Sequence, residues 1–133
     1  MHWAFNYLGI PWASGGNSEA EGFDCWTFFR FVQIQHYGRS MPVIEVPGYH
    51  PLTTNTLLRV HPERNRWTES STPADGCAVL LGRGRAVTHI GVWLDIDGGG
   101  VLHCDRHKGV VFTKGNAIKD QGYATVEYYR FAN

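Results

Sequence analysis

Cys25, Phe28, Phe29 and Val32 follow one another at i, i+3, i+4 and i+7. That is the spacing of one buried face of a helix, and it predicts a helix over about 25–37. Asp24 is the right type to cap its start, and Gly38 stands where a left-handed stop belongs. After Pro73-Ala74-Asp75-Gly76 the pattern changes to short apolar runs separated by glycines. Strands are predicted over 77–81, 88–95, 101–104, 110–113 and 125–131, with a glycine-rich turn between the second and third. Strands at this spacing predict an antiparallel meander. A helical first half and a strand-rich second half form the α+β pattern.

The remaining segments are less regular. Residues 2–9 have the pattern of a short helix, ended by Pro11 and Gly15-Gly16. Residues 41–48, which contain Pro42 and Pro47, are expected to be extended or loop. The stretch 50–72 has little periodicity, apart from one or two helical turns over 54–60 with Thr53 or Thr54 as cap.

The length of 133 residues fits one domain, 1–133, large enough for its own core. Twelve basic side chains balance twelve acidic ones. Charge therefore gives no reason to expect nucleic acid or an anionic membrane as partner. No run is long and apolar enough for a transmembrane helix. The opening Met1-His2-Trp3-Ala4-Phe5-Asn6 lacks a basic leader with an apolar core, so no signal peptide is expected. Three cysteines without an export signal point to free thiols rather than a disulfide framework.

Cys25 is the first candidate for chemistry. In the first turn of a helix a thiol meets unpaired N–H groups and the positive end of the dipole, which favour the thiolate. The plain alternative is a small buried residue opening an amphipathic helix. Two histidines bear on that choice. Alternation puts Ile90, Val92 and Leu94 on one face of their strand and His89, Gly91 and Trp93 on the other. In the next strand Leu102 and Cys104 share one face, leaving Val101 and His103 opposite. A three-residue turn over 95–97 would set His89 opposite His103. A tight Asp97-Gly98 turn would split them, unless a bulge at Gly99 or Gly100 restored the parity. If they meet, a thiol, a proton-accepting imidazole and a group that orients it are the parts of a cysteine hydrolase. Cys77 and Cys104 fall at core-facing positions. A metal site is the rival reading, from the Cys104-Asp105-Arg106-His107 spacing. No second ligand pair accompanies it, so neither metal nor cofactor is expected.

Leu8-Gly9-Ile10-Pro11-Trp12-Ala13-Ser14-Gly15-Gly16, Gly22-Phe23-Asp24-Cys25-Trp26, His89-Ile90-Gly91-Val92-Trp93-Leu94 and Val101-Leu102-His103-Cys104 together resemble the NlpC-type cell-wall cysteine peptidases. The resemblance runs from about Tyr7 to Phe131. It implies a compact papain-like domain with a helix-borne cysteine packed on a central antiparallel sheet. It implies Cys25 as nucleophile, His89 as general base and acid, and His103 as the orienting third residue. The implied substrate is a peptidoglycan stem peptide, cut at the γ-D-glutamyl–diamino acid amide. Asp24 is implied to bind the free amino end of that peptide, besides capping the helix. Trp12, Trp26 and Trp93 are expected around the substrate groove, with core packing as the other role for Trp26 and Trp93.

Tryptophan after the cysteine is most similar to the branch carried on phage tails and gene-transfer agents. That implies synthesis in the bacterial cytoplasm and action at the cell wall. The chain departs from the family at Trp12, where a tyrosine is usual, and Tyr7 is the candidate to supply the missing hydroxyl. It departs also at Thr27 and Cys77. The alternatives on the same scaffold are a non-hydrolytic wall-binding or tail-structural module, and a related amidase or acyltransferase effector.

Overall fold

The computed structural model describes residues 2–44 and 62–132. Helix α1 runs over Cys25–Tyr37, as its periodicity predicts. Asp24 is extended and its side chain accepts the Thr27 N–H, while the Thr27 hydroxyl accepts the Asp24 N–H, which makes a reciprocal capping box. Gly38 ends the helix in the left-handed region, at φ 65°. That conformation suits glycine because it has no Cβ to clash.

Before α1, a 3-10 turn covers Trp3–Asn6, shorter than the helix expected over 2–9, and two short strands pair as β1 (Asn17–Ser18) and β2 (Gly22–Phe23). After it come β3 (Trp67–Ser70), β4 (Ala78–Gly82), β5 (His89–Leu94), β6 (Gly100–Asp105), β7 (Gly109–Lys114) and β8 (Thr125–Phe131). Among the described residues these six form one antiparallel sheet in the order β3-β8-β4-β5-β6-β7. Residues 41–44 have no regular structure, and the helical turns expected over 54–60 lie outside the described residues.

The meander expected from strand spacing holds for β4 to β7 only. β8 does not extend it past β7; it crosses back to pair with β4, and β3 covers its other side. Periodicity encodes that a segment is a strand and which face it buries, but not its neighbour. β3 itself was not expected, because only Trp67 of its four residues is fully buried.

The sheet has apolar residues on both faces. On one, Ile90, Val92, Leu94, Leu102 and Cys104 pack under Phe28, Phe29 and Val32 of α1. On the other, Cys77, Val79, Leu81, Trp93 and Val101 pack with Ile118 and Tyr123. The alternation read from β5 and β6 therefore matches the two faces.

Candidate active site

The cap of α1 leaves two backbone donors for the cysteine. Of the first four N–H groups, Thr27 gives its hydrogen to Asp24 Oδ1 at 2.9 Å and Phe28 gives its own to the Asp24 carbonyl at 3.1 Å. Those of Cys25 and Trp26 lie instead at the Cys25 sulfur, joined by the N–H of Ile90 from β5. The β5–β6 ladder runs from Leu94–Gly100 to Val92–Leu102, so Ile90 lies beyond its last pair. Its N–H is thus turned to the sulfur. Asp24 Oδ2 accepts the Gly15 N–H at 3.0 Å, which ties the Gly15-Gly16 loop to the same helix end.

His89 directly precedes Ile90. Its Nε2 is 2.7 Å from His103 Nδ1, and His103 Nε2 is 3.0 Å from Thr113 Oγ1. The observed turn holds five residues, 95–99, and has the parity of the three-residue option. Both imidazoles therefore share a face. They meet diagonally rather than directly, because His103 falls across from Gly91. A Cβ at Gly91 would lie 2.9 Å from the His103 Cβ and 2.5 Å from Val101 Cγ1. Only glycine leaves His103 its place. The Tyr123 ring lies parallel to His89 and edge-on to His103, with centroids 6.1 and 6.3 Å away.

Electrostatically the site differs from the expectation of a ready thiolate. Burial pushes the Cys25 thiol up to about 12, and the Asp24 carboxylate adds to the rise, while the three N–H groups at the sulfur oppose it. A helix terminus supplies on the order of 1 kcal/mol at a surface, which does not offset full desolvation of an anion. Burial also pushes His89 down to about 4 and His103 down to about 3. Arg83 adds to the first shift, and His89 and Lys108 to the second. Asp105 works against both; burial pushes its own carboxyl up, but the His107 and Lys108 N–H groups together with His89 and His103 hold it below the usual carboxylate range. Thiol and imidazoles are thus neutral at pH 7. Cys25 and His89 share no hydrogen bond among the described residues; the peptide N–H of Ile90 links their positions.

The other expected residues are distributed as follows. Trp26 is 4% exposed, packed on Phe29, and its Nε1 donates to the Pro42 carbonyl. Trp93 is 7% exposed on the face of the sheet away from α1, where its Nε1 donates to Asp95. Both are core residues. Trp12 is partly exposed beside the Arg106 guanidinium and bridges Phe23. The Tyr7 hydroxyl does not replace the family tyrosine. It meets His36 Nε2 at 2.7 Å, in the last turn of α1 and roughly 16 Å along the helix from Cys25. Cys77 and Cys104 are buried free thiols, and Cys104 Sγ donates to the Phe23 carbonyl.

Three residues at the site escaped the sequence reading. Tyr123 sits in a stretch without periodicity. Asp105 was in view only within the Cys104–His107 metal spacing, and Thr113 only as a strand end. Thr113 pairs with Val101 and so shares the His103 face, a relationship visible only once the β6–β7 register is known. Among the described residues no three His, Cys, Asp or Glu side chains are grouped to hold a metal ion, and no helix is long and apolar enough to cross a membrane.

No protein-family model and no curated protein matches the chain. Solved structures do. The NlpC/p60 domain of the peptidoglycan hydrolase SagA is 23% identical, with a TM-score of 0.57 over 93% of this chain and 90% of that one. A Staphylococcus aureus protein described as similar to lipoprotein, of the NLP/P60 family, is 19% identical with the same TM-score. That match covers 98% of this chain, which spans 39% of the staphylococcal one. The chain thus has the NlpC/P60 type of α+β fold, with the Cys25 helix packed on a six-stranded antiparallel sheet.

Proposed function

We propose that the chain is a cysteine peptidase acting on peptidoglycan stem peptides as one catalytic domain. Cys25 is its nucleophile, His89 its general base and acid, and His103 the residue that orients His89. The observation that carries this is the convergence at one helix terminus. The Cys25 sulfur meets the Ile90 N–H, and the preceding residue, His89, is hydrogen-bonded to His103. The NlpC/P60 fold shared with a peptidoglycan hydrolase supports the substrate class.

In the reaction, the Cys25 thiol passes its proton to His89 Nδ1, the ring nitrogen not engaged with His103, as the sulfur attacks the scissile carbonyl. The neutral resting pair makes this transfer part of the attack, not a prior ionisation. The Cys25 and Trp26 N–H groups, which meet the sulfur at rest, then serve as donors to the developing oxyanion. His89 returns the proton to the leaving amine. Water then enters through the same base, breaks the thioester and frees Cys25.

Asp24 keeps one lone pair on each oxygen beyond its structural bonds, enough to receive a substrate amine. Trp12, partly exposed, is the tryptophan best placed to flank the peptide. The bond is the γ-D-glutamyl–diamino acid amide, and the setting a phage tail or related particle, as the resemblance around Cys25-Trp26 implies. Burial of the Cys25 thiol favours, as second reading, a wall-binding module on the same fold.

The test is digestion of purified peptidoglycan and of isolated stem peptides, read by mass spectrometry, with Cys25→Ala in parallel. New fragments ending in D-glutamate, absent with the variant, are expected. Fragments at another amide would retain the mechanism and change the bond. Wall binding without cleavage would favour the second reading.

A further inference from the structure

We propose that Thr113 is a positioning residue for proton transfer, its hydroxyl oxygen accepting the Nε2–H of His103 so that His103 can accept from His89. This rests on the Cys25–His89–His103 reading above and adds a fourth member to it.

The argument is one of proton placement. His89 Nε2 is bound to His103 Nδ1, so only His89 Nδ1 is free to take the thiol proton. Once it does, His89 carries a hydrogen on both nitrogens, and its Nε2–H must donate. His103 must then accept at Nδ1, and its own hydrogen must sit on Nε2. The partner of that Nε2 is Thr113 Oγ1, at 3.0 Å. The opposite arrangement, with the hydrogen on His103 Nδ1, forces the His89 hydrogen onto Nδ1 and removes the base. Thr113 is compatible with either arrangement in the resting protein, but only its role as acceptor is compatible with a protonated His89.

Burial makes the acceptor matter. Thr113 is 9% exposed and His103 3%, and both border a cavity of about 320 Å³, so a water replacing the hydroxyl would lack its covalent tether to β7. The charged groups around the pair (Asp105, Arg83 and Lys108) act through space and are untouched by a change at Thr113. Val111, which pairs with His103 on β7, offers no side-chain acceptor. Thr113 fills that role from the same strand.

The experiment compares Thr113→Val, which keeps the shape and removes the acceptor, with Thr113→Ser, which keeps the acceptor. Imidazole 15N shifts in the full chain report which nitrogen bears the hydrogen. Wild type and Thr113→Ser are expected to hold it on Nε2 of both rings, and Thr113→Val to move His103 toward the Nδ1–H form. On stem peptide, Thr113→Val is expected to lower kcat about tenfold with KM unchanged, and Thr113→Ser to restore it. Unchanged nitrogen shifts in Thr113→Val, or equal losses in both variants, would overturn the proposal. If Thr113→Val does not fold, Thr113→Ala gives the same readout. If even the wild type cleaves no stem peptide, the peptidase reading fails, and the nitrogen shifts still decide the role of Thr113.

Discussion

His89 Nε2 and His103 Nδ1 lie 2.7 Å apart, and both rings are held neutral well below the ordinary histidine value of 6.5. Unfolding frees each to bind a proton from pH 6.5 downward, whereas the folded pair does so only near about 4 and about 3. The unfolded chain therefore binds more protons in that window, and folding stability falls as pH falls. The contribution is fully present above pH 6.5. Each imidazole supplies a slope of up to about 1.4 kcal/mol per pH unit. Denaturant titrations between pH 6.5 and 4.5 are expected to show this loss. His89→Gln and His103→Gln should each flatten it, and a slope unchanged in both variants would contradict the desolvation of half-buried His89 and buried His103.

The thiol gives the opposite dependence. Cys25 is raised from 9.0 to about 12, chiefly by burial. Alkylation by iodoacetamide should therefore be slow at pH 7 in the unliganded protein and rise through the alkaline range. Cys77 and Cys104, also raised by burial, are expected to react no faster. Mass spectrometry of timed digests assigns the label. Rapid, selective labelling of Cys25 at neutral pH would mean that the site opens and forms a thiolate without substrate.

Gly91 is the site's tightest backbone position. Its added Cβ would meet Val101 Cγ1 at 2.5 Å, the His103 Cβ at 2.9 Å and the Leu102 carbonyl oxygen at 3.0 Å. None of these is the loose end of a flexible side chain. Gly91→Ala is expected to destabilise the fold by about 1–3 kcal/mol, the usual range for overpacking. It should also displace the His103 ring, so activity should fall by more than the folded fraction does. Thermal melts and kcat measured on the folded fraction separate the two effects.

Much of this arrangement was legible in the sequence, for identifiable reasons. Cys25 to Val32 carry a helical period bounded by Asp24 and Gly38, so local chemistry alone bounds α1. His89 and His103 sit in strands whose alternation assigns each a face. Their meeting, however, depends on a turn of three consecutive glycines that accepts either parity, and packing of Trp93 against Gly99 and Gly115 helps fix the choice. β8 pairs with β4 through contacts distant in sequence. The thiol's raised pKa was missed because a helix terminus is visible in sequence, while the depth of burial over β5 is not. Tyr7 could not be placed for a similar reason: nothing local says that its hydroxyl turns to His36.

Asp24 combines two effects of opposite sign on the site. Its carboxylate holds the Thr27 N–H through Oδ1 and the Gly15 N–H through Oδ2, so it stabilises the helix start and its loop. The same negative charge raises the thiol next to it. Asp24→Ala loses both acceptors and is expected to lower stability by about 1–2 kcal/mol. Asp24→Asn keeps one acceptor and should lose less. Both variants remove the charge, so in the folded protein the Cys25 thiol should ionise at lower pH than in the wild type. Denaturant midpoints and the pH profile of Cys25 alkylation, measured on the same samples, read the two effects independently. A less stable protein with an unshifted alkylation profile would mean that the Asp24 charge does not reach the sulfur. A shifted profile with unchanged stability would mean that the cap is dispensable.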